Sequence, residues 1–300
     1  MDIHYFLGNV LHNFPIVQLV QIIVVGISLP PVLILLTRIS KIALHDNCKF
    51  LLIAWNSAFL VCLCVHCVYI CCDFVTGIYI PENNHDPPVR LLLFAIQGFF
   101  HAMSSAQELM LSIERAVSSA SPEQYHTRRL SKRALFLAEF LSAVSDYVAL
   151  SCCLINTVDI TSIICLSITT RYISKIRKFM VNSSLNNKYQ IIEALKVAQV
   201  MLPCGVISIV MKISSSLAAW TYAFNLFDSK YMFTITGGAY FIIESLNCML
   251  CTTYVLWNHD GLRRSTLDLF RFKNDLPIRD QRSIENAQDL YFDALRKEWH

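Results

Sequence analysis

The sequence predicts an all-α membrane protein, a bundle of seven transmembrane helices with its N-terminus outside and its C-terminus in the cytosol. Three observations predict it. The 300 residues are 55% hydrophobic and only 16% charged, with mean hydropathy +0.47, an inventory too apolar for a soluble surface. Seven apolar windows are each long enough to cross a hydrocarbon layer of about 30 Å at about 20 residues per helix. Finally, 22 of the 25 Lys and Arg fall in alternate loops, as expected when cytoplasmic loops retain the positive charge.

The first span is expected from Pro15 to Thr37, the second from Phe50 to Cys72 and the third from Leu91 to Ile113. Residues Ala134 to Ile173 hold two shorter ones, Ala134 to Cys153 and Thr157 to Ile176, joined by a minimal turn at Leu154 to Asn156. The sixth runs from Ala198 to Trp220. The seventh runs from Tyr231 to Trp257, interrupted by Glu244 and loosened by Gly237-Gly238. One long tilted helix across Ala134 to Ile173 would instead give six spans and put the last two basic segments outside. The charge pattern favours seven: Arg38, Lys41 and Lys49, then the Arg115 to Arg133 group, then Arg171 to Lys196, then the tail, all fall on one side.

The first 14 residues lack a basic n-region and a small-residue cleavage site, so span one is expected to act as a signal anchor. The only sequon, Asn182-Ser183-Ser184, lies on the cytosolic side, where it would go unused. Residues 1–257 form the bundle and 258–300 a cytosolic tail. In the tail, Leu262, Leu267, Phe270 and Phe272 interleave with Arg263, Arg264, Arg271 and Lys273, the pattern of a short amphipathic helix at the inner leaflet; a solvated helix fits the same pattern. Pro277 ends it, and Ser283 is placed to cap a second helix through Trp299.

Three short segments resemble a known family. His45-Asp46-Asn47-Cys48-Lys49-Phe50-Leu51-Leu52 opens span two, Ile113-Glu114-Arg115 with Tyr125 downstream closes span three, and Leu185-Asn186-Asn187-Lys188-Tyr189-Gln190-Ile191-Ile192-Glu193 precedes span six. In this order and placement they resemble the His-x-Asn-x-Lys-x-Leu-Leu, Glu-Arg and Lys-Tyr-Gln-x-x-Glu elements of nematode serpentine chemoreceptors of the Sra superfamily. The chain departs from that pattern at Ser118-Ser119, at His126 and at Asn186. The resemblance implies a chemosensory G protein-coupled receptor in the plasma membrane of a sensory neuron or cilium. It would bind a small-molecule or peptide cue within the bundle and signal to a heterotrimeric G protein. The Asn-Pro-x-x-Tyr and Cys-Trp-x-Pro patterns of rhodopsin-like receptors are absent.

Ionisable residues inside spans need a partner, a wet cavity or a shallow position. Glu139 and Asp159 are expected near span ends, within reach of water. Glu108, Asp146, Lys212 and Glu244 remain as ligand-pocket or coupling candidates. Lys212 and Glu244 fall about 12 Å and 20 Å below the outer boundary, close enough either to pair or to leave Lys212 snorkelling outward over a protonated Glu244. Glu114, Arg115, Arg128, Arg129 and Tyr189 are the candidates for a G-protein-facing surface; the bland alternative for the loop cations is contact with lipid phosphates. Cys72 and Cys153 are candidates for an extracellular disulfide, although most of the twelve Cys fit helix packing.

No phosphate loop, nucleophile elbow or metal-ligand spacing is present, so no enzyme activity, metal or cofactor is expected. The net charge of +3 is too small to imply a nucleic-acid partner. A transporter or channel using the intramembrane acids is the alternative function, but it would need inverted repeats or a polar stripe, and neither is evident.

Overall fold

Where the solvent is lipid, a helix turns apolar side chains outward and keeps polar ones for its neighbours. The helices of this protein do so. The computed structural model describes residues 16–42, 44–77, 87–120, 148–177, 185–224 and 232–270. Among these it contains seven α-helices: α1 (Ile16–Ile39), α2 (Asp46–Thr76), α3 (Pro87–Ala120), α4 (Val148–Arg177), α5 (Leu185–Ala223), α6 (Met232–Asn258) and α7 (Asp260–Phe270). Five of them are long and apolar enough to cross a membrane: α1, α2, α3, α5 and α6. On α4, Asp159, Ser162, Leu166, Thr169 and Ile173 are buried while Ile160, Ile164 and Ile168 are exposed. On α5, Cys204, Ser208, Lys212 and Ser215 are buried while Val206, Val210, Ile213 and Leu217 are exposed. Both sets repeat every three or four residues, so each is one helix face.

Helices α1 to α6 pack as a closed ring in chain order, α6 returning against α1, with α3 touching α5 and α2 touching α6 across the middle. Side-chain contacts fix the directions. Arg90 meets Asp73 and Trp55 meets Glu108, so α2 and α3 are antiparallel. Lys212 reaches Ser105 while Ser208 reaches Glu108, so α3 and α5 are antiparallel. Asn156 meets Ser216 and Asp159 meets Lys212, so α4 and α5 are antiparallel too. It follows that α3 and α4 run parallel, as the Ser112–Ser162 contact of 2.8 Å also requires. On α6, Phe233 meets Phe94 and Glu244 meets His101, making α6 parallel to α3. The last residue of α3 and the first of α4 therefore lie at opposite ends of the bundle.

The predicted turn at Leu154 to Asn156 does not exist: α4 runs unbroken from Val148 to Arg177. The physical reason is plain in the segment, which contains neither Gly nor Pro to end a helix. Residues 134–147, where most of the predicted fourth span falls, lie outside the described residues. The expected first, second, third, sixth and seventh spans correspond to α1, α2, α3, α5 and α6, while the expected fifth, Thr157 to Ile176, falls within α4, which is not among the five. Helices α2, α3 and α5 are extended by polar turns that hydropathy does not register. The clearest case is α5, which begins at Leu185 rather than near Ala198.

The main core lies towards one end, where Leu35, Ile39, Leu51, Trp55, Phe59, Cys204, Cys251, Val255 and Leu262 pack together. The first turn of α7 belongs to it through Leu262, while Leu267 and Leu269 are exposed. Residues 1–265 form one compact unit and 266–300 a second, of which the described part is the end of α7. The expected second tail helix lies outside the described residues.

A smaller cluster, towards the other end, is aromatic. Tyr69 stacks on Phe241 with ring centroids 4.5 Å apart, and Phe94 lies edge-on to Phe233 at 5.3 Å. Gly237 makes this packing possible, since a Cβ there would sit 2.7 Å from Phe94 Cζ and 3.2 Å from the Tyr69 hydroxyl. Gly237→Val is therefore expected to destabilise the protein by about 1–3 kcal/mol through overpacking. Gly26→Val, where a Cβ meets nothing within 4 Å, is the control. Thermal unfolding of the two purified variants checks the difference, and equal midpoints would contradict it.

Candidate functional site

One face of α3 organises the interior. Arg90, Gln97, His101, Ser105, Glu108, Ser112 and Arg115 are all buried, and their spacing of seven, four, four, three, four and three residues aligns them as a single stripe. The expectation that no polar stripe exists fails here. The signal was present in the sequence, but only as i, i+3/i+4 spacing among neutral and charged residues taken together.

Near the middle of the stripe, Lys212 projects from α5 between two acids. Its Nζ donates to Ser105 Oγ at 2.7 Å and to Asp159 Oδ1 at 3.1 Å, and lies 3.5 Å from Glu108 Oε1. Glu108 Oε1 also accepts from Trp55 Nε1 at 3.1 Å and from Ser208 Oγ at 3.0 Å. Four helices, α2 to α5, thus share one charge cluster from which solvent is excluded: Lys212 is 0%, Asp159 1% and Glu108 5% exposed. Asp159 was expected near a span end. With no turn at residue 154, it sits well inside α4 and becomes a partner of Lys212. Beside this cluster, Glu108, Ser112, Ser162, Leu166, Met201 and Gly205 line a small recess between α3, α4 and α5, with room for about one water.

Glu244 does not pair with Lys212, nor is Lys212 turned outward. The nearest cation-capable neighbour of Glu244 is His101, whose Nδ1 lies 3.0 Å from Glu244 Oε1, with Ser215 adjacent. The approach is off the line of a good hydrogen bond, since that oxygen has no aligned donor. Next to it, His66 Nδ1 and Ser245 Oγ are 2.7 Å apart. Towards the same end, Arg90 is wholly buried. It pairs with Asp73, donates to Thr76 Oγ1 at 2.9 Å and the Gly77 carbonyl at 2.6 Å, and lies over the Tyr69 ring. The expected third span starts only at Leu91, so Arg90 fell outside it and this tie was missed.

At the opposite end the three family-like segments meet. The His45 main-chain N–H donates to Glu193 Oε1 at 2.9 Å, and the His45 ring accepts from Asn47 N–H at 3.3 Å to cap α2. Arg115 pairs with the adjacent Glu114, and its charge acts on Cys48 and Glu193. Arg115 and Glu114, candidates for the G-protein-facing surface, are 1% and 2% exposed here. The described basic residues Arg38, Lys41, Lys49, Arg171, Lys175 and Lys196 belong to helix ends on this same side. Here too, beyond the spans, burial holds His259 below the ordinary imidazole range, and its Nδ1 accepts the Leu262 N–H at 3.4 Å where α7 begins.

Of the remaining candidates, Asp146, Arg128 and Arg129 lie outside the described residues. Tyr189 is in the first turns of α5, and its side chain is not among those described. Cys72 is half-buried towards the end of α2, whereas the Cys153 side chain, and with it the pairing, lies outside the described set. Among the described residues no group of three or more His, Cys, Asp or Glu is placed to hold a metal ion. Compared with protein-family models and with curated proteins, the chain has no match.

Proposed function

We propose that the chain is a seven-transmembrane chemosensory receptor that binds a small-molecule or peptide cue among its helices and signals to a heterotrimeric G protein. The observation that carries this reading is the convergence, around buried Arg115, of three segments that are far apart in the chain and that resemble the Sra superfamily. In the reading, Glu114 holds the guanidinium inside the bundle at rest, and a cue-favoured packing presents it to the G protein.

The helix directions support the topology this needs. Helix α3 ends and α4 begins at opposite ends of the bundle, as a chain with one further crossing between them requires. Gly238 lies against Val17 and Gln21 and Gly261 against Ile42, so α1 runs parallel to α6 and begins at the end opposite to that where α6 finishes. The basic helix ends support a cytosolic Arg115 side, and the resemblance points to a sensory neuron or ciliary plasma membrane. An epitope before Met1 should be accessible on intact cells and a reporter after His300 should not. An accessible C-terminal reporter would overturn the receptor reading.

A transporter is the second reading, favoured by the polar stripe of α3. Its course is blocked midway by Lys212, which is fully buried and held by Ser105, Asp159 and Glu108. Ion flux in proteoliposomes containing the purified protein would favour this reading over the first.

A further inference from the structure

Buried polar groups are nearly always hydrogen-bonded, so those that are not point to a partner. On α3, Gln97 is 0% exposed and both its Oε1 and its Nε2 lack a hydrogen bond. One turn along, His101 spends Nδ1 on Glu244 while its Nε2 has no partner. Across from them on α2, His66 spends Nδ1 on Ser245, and its Nε2 is likewise unpartnered. These orphans border a set of rings on α6: His101 stacks on Tyr240 at 6.5 Å, and His66 stacks on Phe241 at 5.2 Å. Contacts between Phe94 and Tyr240 and between His101 and Glu244 place Gln97 at the level of Tyr240.

We infer that this part of the bundle, between α3 and α6, recognises a small molecule with an amide-like edge, an N–H group beside a carbonyl or ring nitrogen. The unused Gln97 carboxamide offers one donor and one acceptor side by side, which matches such an edge. The Nε2 atoms of His101 and His66, likewise without partners, offer further polar contacts to the same molecule. The inference rests on the receptor proposal only for its meaning as a cue site; the binding itself is independent of signalling.

The test uses the full-length protein in lipid nanodiscs, with benzamide as probe and acetophenone, which has the same shape and a carbonyl but no N–H, as control. Benzamide should bind roughly 10-fold or more tighter than acetophenone and raise the unfolding temperature. Gln97→Leu should abolish that preference while leaving the ligand-free protein as stable as the parent or more so, since a buried amide without partners is removed. Gln97→Met repeats the test should the leucine variant fail to fold. Equal binding of the two probes, no binding of either, or a loss of ligand-free stability in both variants would overturn the inference. Failure of the receptor proposal shows elsewhere, in an externally accessible C-terminus.

Discussion

Lys212→Met is expected to destabilise the protein by about 3–5 kcal/mol, the usual scale for breaking a buried ion pair by removing one partner. Two carboxylates, Glu108 and Asp159, face this one ammonium, and none of the three has access to water. Removing the ammonium leaves like charges close together where dielectric screening is weak. The hydrogen bonds from Trp55 and Ser208 fall on Glu108 alone, so Asp159 loses its one described donor. Removing all three charges together changes the sign of the argument. A triple variant, Lys212→Met with Glu108→Gln and Asp159→Asn, should recover most of the loss, because neutral groups carry no charge-burial penalty. Unfolding midpoints of the purified variants measure both effects. A single Lys212→Met variant as stable as the parent would mean that the cluster is not the tie described here.

How far the sequence reveals this structure depends on which property is asked of it. The apolar windows locate α1, α2, α3, α5 and α6 because lipid exposure selects for Ile, Leu and Val regardless of what lies inside. The same signal cannot separate a turn from a continuous helix at Leu154 to Asn156, where Asn156 and Thr157 merely lower the hydropathy and nothing breaks the backbone. That error also misplaced Asp159, since depth was counted from a boundary that does not exist. Lys212 and Glu244 were correctly singled out as buried charges, but their partners depend on rotation about the helix axes. Rotation is encoded in the placement of neutral residues such as Ser105, Ser208 and Gln97, which charge counting ignores. His101, neutral and close to the middle of α3, illustrates the same blind spot.

Arg115 carries the second large expectation, and its single variant cannot distinguish a structural role from a functional one. Arg115→Leu strands Glu114, which is 2% exposed and bonded to this guanidinium, so a loss of about 3–5 kcal/mol is expected again. Any loss of signalling in that variant would then be ambiguous. The double variant Glu114→Gln with Arg115→Leu removes both charges and should restore folding, because the pair is adjacent in sequence and shares one buried pocket. Under the receptor proposal, that folded double variant still lacks the cation presented to the G protein, and evoked nucleotide exchange should fall at least about 10-fold, the loss of one charge-assisted contact. Glu114→Gln alone keeps the cation and loosens its restraint, so basal exchange should rise. A double variant that folds and signals like the parent would reduce Glu114 and Arg115 to a tie within the bundle.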